Sequence, residues 1–300
     1  MDLDEYQSQA LNTEQKPKLS AMAEVVPFLG LAGETGELLN EYKKYIRDGS
    51  AHERFRDRLK EELGDLLWYL ADAAGKFNLL LSDVAAINLT KVRERWGERG
   101  KDGQLSLYGP AHVFDSGFPP AERLPRRFVA EFCQRQNGER MHVRVLVDGQ
   151  QMGQELDDNV HEEDGYRFHD VFHLACVAVL GWSPVTRRNL KCKRRSVDST
   201  DRNEDGGRAI VTEEGISALV FAYALDHARM EGIGWLDYDL LKAIKTMTAK
   251  FEVSVCTTGQ WEKAIFLAYS IWRLVEQHGG GNVVVDLDRR ELAFTPPQPR

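Results

Sequence analysis

Two helix-length segments, residues 20–46 and 54–77, flank the breaker Asp48-Gly49-Ser50, and each carries an acidic pair at three-residue spacing: Glu34 with Glu37, and Glu62 with Asp65. Residues three apart share one helix face, so each segment presents two carboxylates together. Glu37 lies ten residues before Arg47, and Glu62 ten residues after His52. At about 1.5 Å per residue each arm is ~15 Å long. A reversal near residue 50 therefore brings both pairs to one level, across the ~8–10 Å that separates packed helices. The pattern demands a helical hairpin with an acidic seam, and the rest of this region must be compatible with that.

Four carboxylates at one level repel one another unless a cation sits among them. Oxygen-only ligation suits Mg²⁺, with Mn²⁺ as the alternative, hard ions that accompany phosphate substrates. No histidine shares the pattern, which argues against zinc and against a Glu-x-x-His di-iron centre. Gly30, Gly33, Gly36 and Gly64 stand inside these helical patterns, each at a cost of ~1 kcal/mol against alanine. Close helix approach, or room for a ligand beside the backbone, would offset that cost. A third helix, capped at Ser82 and ending near Trp96-Gly97, places Asn88, Lys91 and Arg95 on one face. Ala85, Leu89, Val92 and Trp96 form the adjoining apolar face expected to pack it down. Two cations beside a Mg²⁺ site suit a polyphosphate, and Asn88 suits a phosphate, sugar or base edge. Each feature also reads as a solvated helix face; both acidic pairs in register, flanked by apolar runs and glycines, favour the ion.

These residues resemble the MazG-like family of all-α nucleoside triphosphate pyrophosphohydrolases, whose pattern is ExxE, a spacer, then ExxD. The segment from Glu5-Tyr6-Gln7 to Thr13 resembles the family's opening, Glu62 to Ala71 its second metal helix, and Asn88-Leu-Thr-Lys91 its third-helix motif. The resemblance covers residues 5–100. It implies Mg²⁺ held by Glu34, Glu37, Glu62 and Asp65, a polyphosphate bound by Asn88, Lys91 and Arg95, and cleavage of an NTP or dNTP between α- and β-phosphates. It also implies assembly as a homodimer or higher oligomer. Gly33 stands where many members carry a glutamate, so water activation passes to another group: Glu37, Glu61 or a metal-bound hydroxide.

Beyond residue 97 the pattern changes. Glycines and prolines punctuate residues 97–125, and the chain is divided here into a bundle over 1–100, a linker over 101–125 and an α+β domain over 126–295. The domain is read as two strands, residues 127–132 and 142–147, then helices near 163–181, 210–230, 237–251 and 257–278, then strands 282–286 and 291–294. The fold class is thus mainly α: an all-α bundle plus an α+β domain with its own helical bundle and a small antiparallel sheet. A degenerate second bundle packing on the first is one reading of the later helices. Residues 126–295 carry no resemblance to a family of known activity.

In GYRFHDVFHLACVAVLGW the helix is apolar on nearly every face, hence buried, yet it holds His169, Asp170 and His173. Glu213 and Glu214 open another apolar helix and are candidate partners. Between them runs RRNLKCKRRS. Three readings stand: a buried polar network beside a solvated basic loop, a second metal or phosphate site on His169, His173 and Glu213 or Glu214, and a nucleic-acid contact through the basic run. The net charge of −8, spread over both halves, opposes nucleic acid. Four scattered cysteines without a CxxC pair, an acidic N-terminus and no long apolar run point to a cytoplasmic protein without a membrane span. The expectation is a Mg²⁺-dependent nucleotide pyrophosphohydrolase that cleanses or depletes a nucleotide pool. The alternative is a nucleotide or alarmone sensor with little turnover, signalling through the second domain.

Overall fold

A computed structural model describes residues 1–14, 23–99, 105–106 and 111–297. The chain divides into two compact units, Met1–Val92 and Arg93–Arg300.

The first unit is helical. α1 (Leu3–Leu11) opens on Asp2, whose side chain accepts the Glu5 N–H. α2 (Val26–Asp48) carries Pro27 in its first turn, where a missing N–H costs nothing. It therefore starts later than the expected Ser20; residues 20–22 lie outside the described residues. Gly49, at φ +56°, turns the chain through a short 3-10 turn, Gly49–Ala51, into α3 (Phe55–Lys76). The antiparallel register of α2 and α3 is fixed by stacking of Tyr45 on Phe55 at 4.2 Å near the turn and by Phe28 against Phe77 at 6.1 Å at the far end. Between them Gly30 lies under the Tyr69 ring: a Cβ there would sit 2.1 Å from Tyr69 Cε1, so only glycine permits this approach.

α4 (Leu81–Trp96) starts at Leu81, and Ser82 is not its cap. Side chains of α1 do that work. Asp4 accepts the Ser82 N–H at 3.0 Å and its hydroxyl at 2.7 Å, and Gln7 accepts the Leu81 N–H at 3.0 Å. These bonds satisfy donors that a helix N-terminus otherwise leaves open. On the face expected to pack α4 down, Ala85 is half-buried while Leu89 and Val92 are exposed. The core of this unit is small, comprising Ala10, Ala71, Ala74 and Leu81 with Tyr6 and Trp68 against it.

The second unit begins with a short antiparallel pair, β1 (Glu98–Arg99) and β2 (Leu105–Ser106). Its main sheet comprises β3 (Arg127–Asn137), β4 (Arg140–Val147), β5 (Gln150–Leu156), β6 (Gly280–Asp286) and β7 (Glu291–Thr295), ordered β5-β4-β3-β6-β7 and antiparallel throughout. Alternation sets one face: Phe128, Ala130 and Phe132 on β3 are buried with Val143 and Val145 on β4 and Val283 and Val285 on β6, while Val129 is exposed. Against that sheet pack α5 (Asp170–Leu180) and α10 (Thr258–His278). α6 (Pro184–Asn189), α7 (Asp198–Asn203), α8 (Gly207–Asp226) and α9 (Tyr238–Thr248) complete the layer. One continuous core runs through it, with Leu174, Trp182, Ile216, Trp261, Ile265 and Trp272. α10 begins in a reciprocal capping box between Thr257 and Gln260. Within residues 111–125, Leu124 enters this core and the buried Asp115 accepts the Leu124 N–H at 2.8 Å. Among the described residues no helix is long and apolar enough to cross a membrane, and the four cysteines form no disulfide.

Candidate active site

The hairpin brings three of the four predicted carboxylates together. Glu34 from α2 and Glu62 and Asp65 from α3 each offer an oxygen, all within 4.8 Å of one another. Glu34 and Glu62 are half-buried, Asp65 and Glu37 exposed. Glu37 lies outside that trio, yet its charge acts on Glu62. Partial burial, then the negative charges of Glu34, Glu37, Asp65 and Glu41, pushes the Glu62 carboxyl above its ordinary range. Among the described residues none of the four pairs with a lysine or arginine. An all-oxygen donor set without a salt bridge to a lysine or arginine among the described residues, and mutually repelling, is the chemistry a hard divalent ion fits.

Two further residues escaped the sequence reading. Glu41, one turn beyond Glu37 on the same face, is buried and bonds to Lys44 and, at 3.1 Å, to His52 Nε2. These bonds hold its pKa below the usual range. The signal was there: Glu34, Glu37 and Glu41 follow the helical repeat, and His52 sits at the break. A histidine thus stands one residue removed from the acidic seam, though not in the trio. Glu61 is not brought in; it is exposed and pairs with Arg58 at 2.7 Å. Asn88 and Lys91 lie on the exposed face of α4. Arg95, in the second unit, donates to the Leu236 carbonyl and lies over the Tyr238 ring.

Further along α3 lies a cavity of about 410 Å³ lined by Thr13, Glu14, Trp68, Tyr69, Asp72 and Lys76, among others. Trp68 Nε1 donates to Thr13 Oγ1 at 2.8 Å, so the opening segment helps to set this wall.

Comparison with known proteins agrees with this arrangement. Residues 28–99 match the MazG nucleotide pyrophosphohydrolase domain, and residues 109–298 match the MazG C-terminal domain. The chain belongs to the MazG family. The match reaches well past the N-terminal third, where the sequence resemblance stopped, because the second half carries none of the acidic motifs on which that resemblance rested. The Gene 37 protein of Mycobacterium phage L5 is 44% identical over 69 residues, which is 22% of this chain and 60% of that protein. The chain thus spans less than two thirds of the length of the curated relative it matches. No solved structure matches.

The MazG C-terminal domain gathers the second predicted cluster. α5 is buried along its whole length. It starts at Asp170, so His169 precedes it. His173 Nδ1 lies 2.8 Å from Glu213 Oε1, and Glu213 Oε2 accepts the Val185 N–H at 2.9 Å. Glu214 Oε2 lies 3.3 Å from His173 Nε2 and 3.7 Å from His169 Nε2. Burial alone would drive His173 towards its neutral form; the Glu213 and Glu214 carboxylates outweigh it and push the pKa up to about 10.

The basic run, residues 187–196, which starts in α6 and ends before α7, divides into buried and exposed cations: Arg188, Lys191 and Arg195 are exposed. Arg187 and Arg194 are interior residues. Arg187 bonds to Asp115 at 2.7 Å, and Arg194 to Asp205 at 2.7 Å and Glu252 at 2.6 Å. Lys193 pairs with Asp201 at 2.8 Å. Tertiary carboxylates thus take Arg187, Lys193 and Arg194 out of the run.

Proposed function

We propose that this chain is a Mg²⁺-dependent nucleotide pyrophosphohydrolase that converts an NTP or dNTP and water into NMP or dNMP and diphosphate. The observation that carries this reading is the trio of Glu34, Glu62 and Asp65 oxygens within 4.8 Å on a MazG helical hairpin. These three residues would hold Mg²⁺, or Mn²⁺ in its place. A divalent ion there supplies neutralisation of phosphate charge and acidification of water. Glu37, whose charge acts on Glu62, would accept a proton from the water that attacks the α-phosphate. Glu41, held by Lys44 and His52, fixes the neighbouring turn of α2. The cavity walled by Trp68 and Tyr69 has room for a base or sugar and an aromatic face to stack on. Asn88 and Lys91 remain the candidates for the phosphate tail, while Arg95 is engaged by Leu236 and Tyr238.

The exposed Leu29, Leu39, Ile46, Leu63 and Ile87 favour a homodimer or higher oligomer. The partner of the site is a nucleotide rather than nucleic acid, in keeping with the net charge of −8. Removal of surplus or non-standard nucleotides in the cytoplasm is the role that suits these properties. The assay is product analysis over a panel of NTPs and dNTPs. Diphosphate release should require Mg²⁺ and fall by about a hundredfold or more in Glu62→Gln and in Asp65→Asn. Orthophosphate as first product, or undiminished activity in both variants, would reject the assignment. Gly33, at a position where the resemblance expects a glutamate, favours the second reading, a nucleotide sensor. Tight Mg²⁺-dependent nucleotide binding without diphosphate release would select it.

A further inference from the structure

The polar cluster at the start of α5 has the construction of a metal site. His169 Nδ1 lies 2.9 Å from the Tyr166 carbonyl oxygen, which can only accept, so Nδ1 carries the proton. His173 Nδ1 faces the Glu213 carboxylate, itself anchored on the Val185 N–H. Both rings are thereby fixed with Nε2 as the ligand atom. Histidines that bind metals are oriented in this way, by a carbonyl or carboxylate on the opposite nitrogen. His173 is 1% exposed, and its Nε2 makes no hydrogen bond of acceptable geometry. Glu214 Oε2 lies 3.3 Å from that nitrogen: it pairs with His173 when the imidazole is protonated and stands within reach of an ion that replaces the proton.

Asp170 supplies the third donor. It is 5% exposed, and among the described residues its carboxylate has no hydrogen-bond or ion-pair partner. One ligand atom from each of His169, Asp170 and His173 lies within 4.8 Å of the others. Of the two Nε2 to Glu214 distances, the 3.3 Å from His173 matches the ~3.3 Å edge of a tetrahedron with ~2.0 Å bonds, and the 3.7 Å from His169 is longer. The Tyr166 ring, stacked on His169 at 4.4 Å, holds that imidazole in plane.

We infer that His169, Asp170 and His173, with Glu214 as fourth ligand, bind a divalent transition-metal ion of the zinc class in the MazG C-terminal domain. Glu213 is a positioning residue and not a ligand. Two imidazoles exclude Mg²⁺ as the natural occupant and select Zn²⁺, Fe²⁺ or Mn²⁺. The site is independent of the acidic trio, which offers oxygen alone. Glu214 is 36% exposed, so the ion is reached from solvent past that side chain.

Co²⁺ and Zn²⁺ are the probes. The full chain is stripped with a chelator and titrated with Co²⁺, in a Glu62→Gln background that disables the acidic trio. One equivalent of Co²⁺ should bind with visible d–d absorption, be displaced by one equivalent of Zn²⁺, and raise the melting temperature. Asp170→Asn is nearly isosteric and removes no hydrogen bond, so it should fold and bind Co²⁺ at least tenfold more weakly. His169→Gln should do the same. Glu213→Gln should weaken binding by about 10–100-fold through loss of ring orientation. Absence of the absorption band, or wild-type Co²⁺ affinity in folded Asp170→Asn and His169→Gln, would overturn the site. It would leave a metal-free histidine held between two glutamates. Neither result bears on the Mg²⁺ assay, which reads a different set of residues.

Discussion

Arg194 shows how little a residue's type says about its task until its neighbours are known. In the sequence it is one of six cations in a ten-residue run. In the structure it is fully buried, with five hydrogen bonds to Asp205 and Glu252 and one to the Phe114 carbonyl. Asp205 is 11 residues away and Glu252 58, so no local pattern reveals the match. The histidine cluster was more legible, because a titratable residue within an uninterrupted apolar helix must find a partner, and Glu213 was one of the few candidates. Removal of one member of a buried ionic network leaves the others uncompensated, at a cost of about 3–5 kcal/mol. Arg194→Met should therefore lower the free energy of unfolding by that amount in urea titrations of the full chain. Lys193→Met, which removes a partly exposed pair with Asp201, should change it by less than about 1 kcal/mol. Equal effects from the two would contradict the burial that separates them.

At the level of elements, the α2–α3 hairpin was readable because two signals coincide: long helical periodicity and a breaker whose Gly49 adopts a positive φ. α1 lay within the expected all-α bundle over 1–100 but was not delimited as a helix of its own, because its nine residues are mostly polar and its purpose, to cap α4 through Asp4 and Gln7, lies across 74 to 78 residues of chain. β5 was missed for a related reason. It buries only Met152, and its glutamines and Gly153 mimic a loop. The helical glycines, which the sequence presents as equivalent, prove to be of two kinds. A Cβ at Gly30 collides with the Tyr69 ring, whereas at Gly33, Gly36 and Gly64 it meets nothing within 4 Å. Opposite signs follow. Gly30→Ala should destabilise by about 1–3 kcal/mol, as overpacking does. Gly33→Ala and Gly64→Ala should stabilise the helices by up to ~1 kcal/mol through propensity alone. Thermal melts of the three variants decide it. If Gly33→Ala or Gly64→Ala instead destabilises, a second copy of the chain must fill the space beside those residues.

The two units differ most in how much of themselves they bury. The second has a continuous core that includes three tryptophans and the inner face of a five-stranded sheet. The first gathers four small or medium residues and leaves large apolar side chains in solvent on α2, α3 and α4: Leu39 at 63%, Leu63 at 49% and Ile87 at 71%. A domain of this size is marginal even with a full core, and one with so small a core needs another surface to cover its apolar faces. The sequence could not show this, because periodicity reports that a helix has an apolar face and not what that face meets. Fragments test the contrast. Residues 93–300 alone should melt cooperatively at a temperature independent of protein concentration. Residues 1–92 should sediment as an oligomer, and their melting temperature should rise with concentration, because association and folding are then linked. A monomeric 1–92 fragment with a sharp, concentration-independent transition would mean that the helical hairpin is stable with its apolar residues in water, and the case for a homo-oligomeric enzyme would lose its physical basis.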